Sequence, residues 1–180
     1  MVPIKERCRF NTERLRVDNW GKLVNSIEGR EKLARQIISI LNPEVTEHLP
    51  PAMKGVTTMY RAYQWIQERD EEGAVCLLHP RQDGNKIDIL GFLFLVEFPD
   101  IERNKSELRV RFILDKEIWG RGLGSELIFG LVEWASKDEI VQVISGGVAT
   151  SNMASIKIFE KFGFSSEQIG DIIFFKKRVE

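Results

Sequence analysis

Six consecutive residues, Trp119-Gly120-Arg121-Gly122-Leu123-Gly124, run directly into Ser125 and an apolar-periodic stretch. Alternating glycines let a backbone turn with its N–H groups pointing inward, and no Cβ blocks a ligand that approaches closely. A helix opening behind such a loop adds unsatisfied amides and the positive end of its dipole, a combination suited to a pyrophosphate. A tight turn without a ligand uses the same residues. The P-loop pattern of NTPases is absent, since no Gly-x-x-x-x-Gly-Lys-Ser/Thr run exists. The dinucleotide fingerprint is also disfavoured, because Ser125 stands where its third glycine belongs and four strands, not one, precede the loop.

Other reactive side chains are sparse. The two cysteines, Cys8 and Cys76, lie among apolar residues without CxxC spacing, and His48 and His79 are the only histidines. No metal site is expected from that inventory, and both thiols read as small core residues. With no cysteine in a loop or helix-end context that would activate it, any group transfer is expected to be direct rather than through a covalent enzyme intermediate.

The elements that hold the loop follow from periodicity. Arg9 to Val17 suits an opening strand, and Leu33, Ile37, Ile38 and Leu41 recur at helical spacing. Pro43, Pro50 and Pro51 interrupt the chain before Thr57-Thr58, which cap a second helix with Met59, Ala62, Tyr63 and Ile66 on one face. Tyr60, Tyr63 and Trp65 read as core or groove wall. Ala74–Leu78 and Ile87–Phe98 are strands joined through Pro80, Asp83, Gly84 and Asn85 as a hairpin. Glu107–Leu114 alternates, with Leu108, Val110, Phe112 and Leu114 opposite Glu107, Arg109 and Arg111. After the glycine loop come the helix Ser125–Ala135, the strand Val141–Val148, the helix Asn152–Phe162 and the strand Ile172–Val179. The order β-α-α-β-β-β-α-β-α-β predicts one α/β domain over residues 1–180, a mixed, largely antiparallel twisted sheet flanked by helices.

Composition bounds what this fold does. The 180 residues are 43% hydrophobic and 29% charged, the balance of an ordinary globular chain. Twenty-six basic against 27 acidic residues leave a charge of −1, which disfavours bulk binding of nucleic acid. No signal-like segment or membrane-length apolar run is present, so a cytoplasmic location without a membrane partner is expected.

The loop resembles the acyl-CoA motif of the GNAT N-acetyltransferases, Gln/Arg-x-x-Gly-x-Gly/Ala, with Trp119 replacing Gln or Arg. That replacement is familiar in the branch that acetylates ribosomal-protein N-termini. The stretch from Asn152 through Ser155, Phe159, Glu160, Lys161 and Gly163 to Phe164 is similar to the last-helix signature of the same branch. Thr12–Arg16 and Asn42–Pro50 resemble its opening strand and its substrate-side segment, so the likeness covers nearly the whole chain.

The resemblance implies an acetyl-CoA-dependent transfer to a primary amine, with a protein or peptide N-terminus first among acceptors and small amines or amino acids next. It places pantetheine along Phe112, Ile113 and Leu114, and the pyrophosphate against Trp119, Gly120, Gly122, Leu123, Gly124 and Ser125. Arg121 reads either as a charge partner of the pyrophosphate or as a solvated side chain, and Asn152 as a cofactor contact or a helix cap. Phe159 holds the cofactor-side position where the family carries a general-acid tyrosine, which makes Ser155 a substitute proton donor or a plain helix-surface residue. Glu107 reads as a carboxylate base or a solvated strand residue, and His48 as an acceptor contact or a loop residue. A base is optional for an α-amine, because roughly a tenth of it is neutral at pH 7 against under a thousandth of a lysine. The missing tyrosine also keeps open an acyl-CoA sensor without turnover. A homodimer through an exposed edge at Ile172–Val179 is expected.

Overall fold

The computed structural model describes residues 2–82 and 88–179. Asp83, Gly84 and Asn85 of the expected turn, and Ile87 at the expected start of the next strand, lie outside the described residues. A short helix α1 (Ile4–Arg7) leads into β1 (Phe10–Asn11) and β2 (Leu15–Asn19), then α2 (Gly21–Val24), α3 (Ile27–Ile40) and α4 (Met59–Glu72). Next come β3 (Ala74–Pro80), β4 (Gly91–Asp100), β5 (Lys105–Leu114), α5 (Leu123–Ala135), β6 (Val141–Ala149), α6 (Met153–Lys161), β7 (Ser165–Ile169) and β8 (Ile172–Arg178).

The strands form one sheet in the order β1-β2-β3-β4-β5-β6-β8-β7. All neighbours are antiparallel except β5 and β6, whose parallel pairing requires the α5 crossover between them. Both faces of the sheet are covered. Leu33, Ala34 and Ile37 of α3 and Ala62, Trp65 and Ile66 of α4 pack on Val75, Leu77, Phe92, Phe94 and Ile113. On the opposite face, Leu127, Ile128 and Leu131 of α5 and Ile156 and Phe159 of α6 cover Leu78, Leu93, Leu108 and Val110. The alternation of β5 is therefore two-sided: Phe112 and Leu114 join the α5–α6 core while Ile113 joins the α3–α4 core.

Three expectations are corrected. The opening strand is split by a turn into β1 and β2, where the Thr12 amide donates to the Leu15 carbonyl. Residues Asp88 to Leu90 precede the strand, so β4 begins at Gly91. The C-terminal strand is one arm of a hairpin: β8 is enclosed between β6 and β7, and the sheet edge is β7. An edge-to-edge partner would thus meet Ser165–Ile169 and not Ile172–Val179. The reading of Tyr60, Tyr63 and Trp65 as core or groove wall divides between its two parts: Tyr60 and Tyr63, 73% and 40% exposed, line an open groove between α3 and α4, while Trp65 is core, in edge contact with Trp20, Phe92 and Phe94. Among the described residues no helix is long and apolar enough to cross a membrane.

Candidate active site

The site begins where two strands part. The β5–β6 ladder ends at Arg109↔Ser145, yet β5 stays paired with β4 to Leu114 and β6 stays paired with β8 to Ala149. Val110 and Phe112 consequently have unpaired backbone groups facing the gap, a template for an extended ligand, while the Leu114 carbonyl accepts from Trp119 Nε1 at 3.1 Å. Small residues suit the divergence: a Cβ on Gly146 would stand 3.1 Å from the Val110 carbonyl and 3.3 Å from the Phe159 ring.

The glycine loop closes the end of that gap. Gly120 and Gly122 adopt φ of +73° and +78°, the left-handed region that a side chain disfavours, and Gly122 is the N-cap of α5. Gly124 is needed for packing instead, since its Cβ would lie 2.8 Å from Ile158 of α6. The first α5 amides, of Leu123, Gly124 and Ser125, have no intrahelical acceptor and supply donors for an anion.

A clamp holds the loop from outside. Glu126, in the first turn of α5, accepts hydrogen bonds from Thr12 Oγ1 at 2.5 Å and from the Arg14 amide and Nε at 2.7 Å each. Arg14 Nη1 in turn donates to the Arg121 carbonyl at 2.9 Å. Partial burial pushes the Glu126 carboxyl up, but these donors outweigh it and hold it below its ordinary value.

Between the gap, the loop and α6 lies a cleft of about 490 Å³. Its walls include Phe112, Ile113, Leu114, Trp119, Gly120, Gly122, Leu123, Gly124 and Ser125, together with Asn152 and Ser155 from α6 and His48 from the segment after α3. Amide donors at one end and aliphatic walls at Leu114, Ile118 and Ile158 along its length fit a pyrophosphate joined to a pantetheine arm. The family model of the acetyltransferase (GNAT) domain matches residues 30–165. The chain belongs to the GNAT acetyltransferases.

Solved relatives agree on the fold. A GNAT acetyltransferase from Bacillus anthracis superposes with a TM-score of 0.70 at 11% identity, covering 95% of this chain and 98% of that one. RimL, a ribosomal-protein α-N acetyltransferase solved in complex with coenzyme A, gives 0.72 at 12% identity, covering 96% and 98%. Among curated proteins, one named "Probable spermine N(1)-acetyltransferase" from Bacillus subtilis subsp. natto is 28% identical over 80 residues, 43% of this chain and 53% of that protein. A spermine/spermidine N(1)-acetyltransferase of Bacillus subtilis strain 168 is 26% identical over the same extents. The chain thus spans about half the length of the curated relatives it matches.

Three of the residues singled out in this GNAT sequence stand apart from the cleft. Arg121 is exposed and does not line it, its carbonyl serving the clamp. Phe159 is 2% exposed, stacked on Phe175 at 5.1 Å and edge-on to Phe164 at 5.0 Å, and it lines only a small inner pocket beside the cleft. Glu107 lines neither cavity. Ser145 Oγ donates to its Oε1 at 2.6 Å and Lys176 Nζ to its Oε2 at 2.8 Å. Partial burial raises the Glu107 carboxyl, and Lys176 and Ser145 bring it below the ordinary carboxylate value.

His48 and Ser155 line both the cleft and the inner pocket. His48 Nδ1 lies 3.1 Å from Ser151 Oγ. Asn152 Oδ1 accepts the Ser155 amide at 3.2 Å, so Asn152 caps α6 while also facing the cleft. Neither cysteine reaches the site: Cys76 Sγ lies 3.7 Å from the Cys8 carbonyl in the core, and the thiol of Cys8 is pushed up by Cys76 and by burial. Among the described residues no cluster of three metal-ligating side chains occurs. Sequence reasoning overlooked Glu126, legible only as one acid at a helix start, and Glu44, whose pairing with Lys116 at 2.6 Å fixes the segment across the cleft to the approach of the loop.

Proposed function

We propose that the chain is an acetyl-CoA-dependent N-acetyltransferase that transfers the acetyl group directly to a primary amine, a peptide or protein N-terminal amine first among acceptors. The observation that carries this reading is the coincidence in one cleft of a left-handed glycine loop, three free helix amides and an unpaired strand edge. The amides of Leu123, Gly124 and Ser125 would hold the pyrophosphate, and the strand edge at Phe112–Leu114 the pantetheine amides. Acetyl-CoA supplies an acyl thioester, and the amine forms the new C–N bond as the C–S bond breaks. His48 accepts the proton the amine releases, a task an imidazole performs near neutral pH. Ser155, which lines the cleft and the inner pocket, donates a proton to the departing thiolate. Glu107 is held by Lys176 and Ser145 outside the cleft and acts as a structural carboxylate.

Isothermal titration with acetyl-CoA, beside ADP and NAD, tests the reading. Preferred binding of acetyl-CoA that is lost in Gly122→Glu, followed by thiol release on adding amines, is the expected result. A glutamate there adds both a negative charge and left-handed backbone strain. Acetyl-CoA binding with no transfer to any amine would favour instead a sensor without turnover, the reading that the hydroxyl-free Phe159 supports. Absence of acetyl-CoA binding would overturn both.

A further inference from the structure

The cleft is the first of three cavities that share wall residues in turn. His48, Leu49, Phe112, Asn152 and Ser155 are shared between it and the inner pocket, and the inner pocket shares Val110, Arg111 and Gly147 with a third cavity on the α3–α4 face. Val110, Arg111 and Gly147, on β5 and β6, thus stand between the inner pocket and the third cavity.

The far cavity has a distinct chemistry. Three guanidiniums, Arg69, Arg109 and Arg111, face one carboxylate, Glu72, and that carboxylate is already engaged by Arg69 at 2.6 Å. Arg109 lies over the Phe98 ring at 4.6 Å. Arg111 donates to the Met53 sulfur at 3.1 Å, a weak acceptor for a cation. Among the described residues Arg111 has no carboxylate within ion-pairing distance. A guanidinium with a thioether as its hydrogen-bond acceptor, on the wall between two cavities, has its fork of donors available for a planar anion.

We propose that Arg111, in this cavity, binds a carboxylate lying a few bonds from the acceptor's amine. This rests on the acetyltransferase reading, which it narrows: the acceptor is an amino acid or an N-terminal peptide with an acidic residue close behind its amine. A polyamine would bring further positive charge into a cavity where guanidiniums outnumber carboxylates, so spermine is a poor acceptor here despite the names of the curated relatives.

The test compares tripeptide amides with aspartate or asparagine at the second position, with glutamate and spermine as further acceptors. Each is measured for thiol release and, independently, for binding to the CoA-loaded protein by calorimetry. A charge-assisted hydrogen bond to a guanidinium predicts a preference of roughly tenfold or more for aspartate over asparagine in both KM and Kd. In Arg111→Gln the ratio falls to about one, Arg111→Lys restores part of it, and acetyl-CoA affinity in both variants reports an intact fold. Preference for free glutamate over the aspartate peptide would assign the site to amino acids, and the reverse to N-terminal peptides. Equal binding of the aspartate and asparagine peptides to the wild-type protein, or efficient acetylation of spermine, would overturn the proposal while leaving an acetyltransferase. If no amine is acetylated, the binding comparison still decides the anion site, and the transfer reading alone fails.

Discussion

On the α5–α6 side of the sheet, the gap between β5 and β6 is bounded by main-chain amides, glycines and aliphatic side chains; on the α3–α4 side it is bounded by three guanidiniums, a thioether and a carboxylate. The first wall is built mainly from backbone, so its shape depends on where the chain can turn. The second is built from side chains on α4 and β5 and from Met53 ahead of α4, so single substitutions can retune it without disturbing the fold. A scaffold arranged this way keeps one ligand constant and leaves the other free to change.

Gly147→Leu breaks the comparison at its midpoint and has the largest expected effect. Gly147 is exposed, lies outside the positive-φ region, and a Cβ there meets only Ile172 at 3.4 Å and Phe174 at 3.7 Å. The leucine is therefore accommodated in folding but adds bulk to the wall that the inner pocket and the far cavity share. Transfer should fall by about a hundredfold, since displacing a reactant by an ångström costs that much. Acetyl-CoA binding, measured by calorimetry, should stay within about twofold. A parallel loss of both would show that the two sides are not separable.

Glu126→Gln should act on the cofactor side alone and more mildly. It weakens the clamp on Arg14 and the glycine loop, with acetyl-CoA affinity down about fivefold and stability lower by ~1 kcal/mol in urea unfolding. The pH dependence follows from the lowered carboxyl. The unfolded chain binds this proton more readily than the folded one, so the contribution is full above the ordinary glutamate value near 4.5 and is lost as pH falls through the depressed folded value. The glutamine variant should show a shallower acid limb below about pH 4.5 than the wild type.

The smallest effect is expected for Glu107→Gln. Its pair with Lys176 is partly solvated, at 28% and 58% exposure, so stability should change by no more than about 1 kcal/mol. The pH profile of kcat/KM should keep its shape. A loss of the acid limb in that profile would instead make Glu107 the proton acceptor.

These differences in construction also explain what the sequence revealed. The glycine loop was legible because positive φ at Gly120 and Gly122 is written directly as residue type. Alternation in Leu108, Val110, Phe112 and Leu114 placed β5 because one face is apolar over its whole length. Strand β7 was not legible, since Ser165–Ile169 is exposed throughout and is held by pairing with β8 rather than by a buried stripe. Tyr60 and Tyr63 have the spacing of a core stripe yet face outward, because α4 turns Ala62, Trp65 and Ile66 to the sheet. Arg111 was visible only as a polar member of the alternation. Its meaning depends on Met53, Arg69 and Glu72, which are distant in sequence and converge only in three dimensions.

The clamp on the glycine loop has a consequence for assembly. Thr12 and Arg14 join Glu126 and Arg121 across separations of 107 to 114 residues, and both lie before the segment that the family model matches. Contacts closing so long a loop form late, after the entropy of bringing the ends together has been overcome. The anion cradle should therefore be among the last parts of the molecule to acquire its shape, appearing only once the N-terminal hairpin has docked. A refolding chain would show native helix content before it can bind its nucleotide.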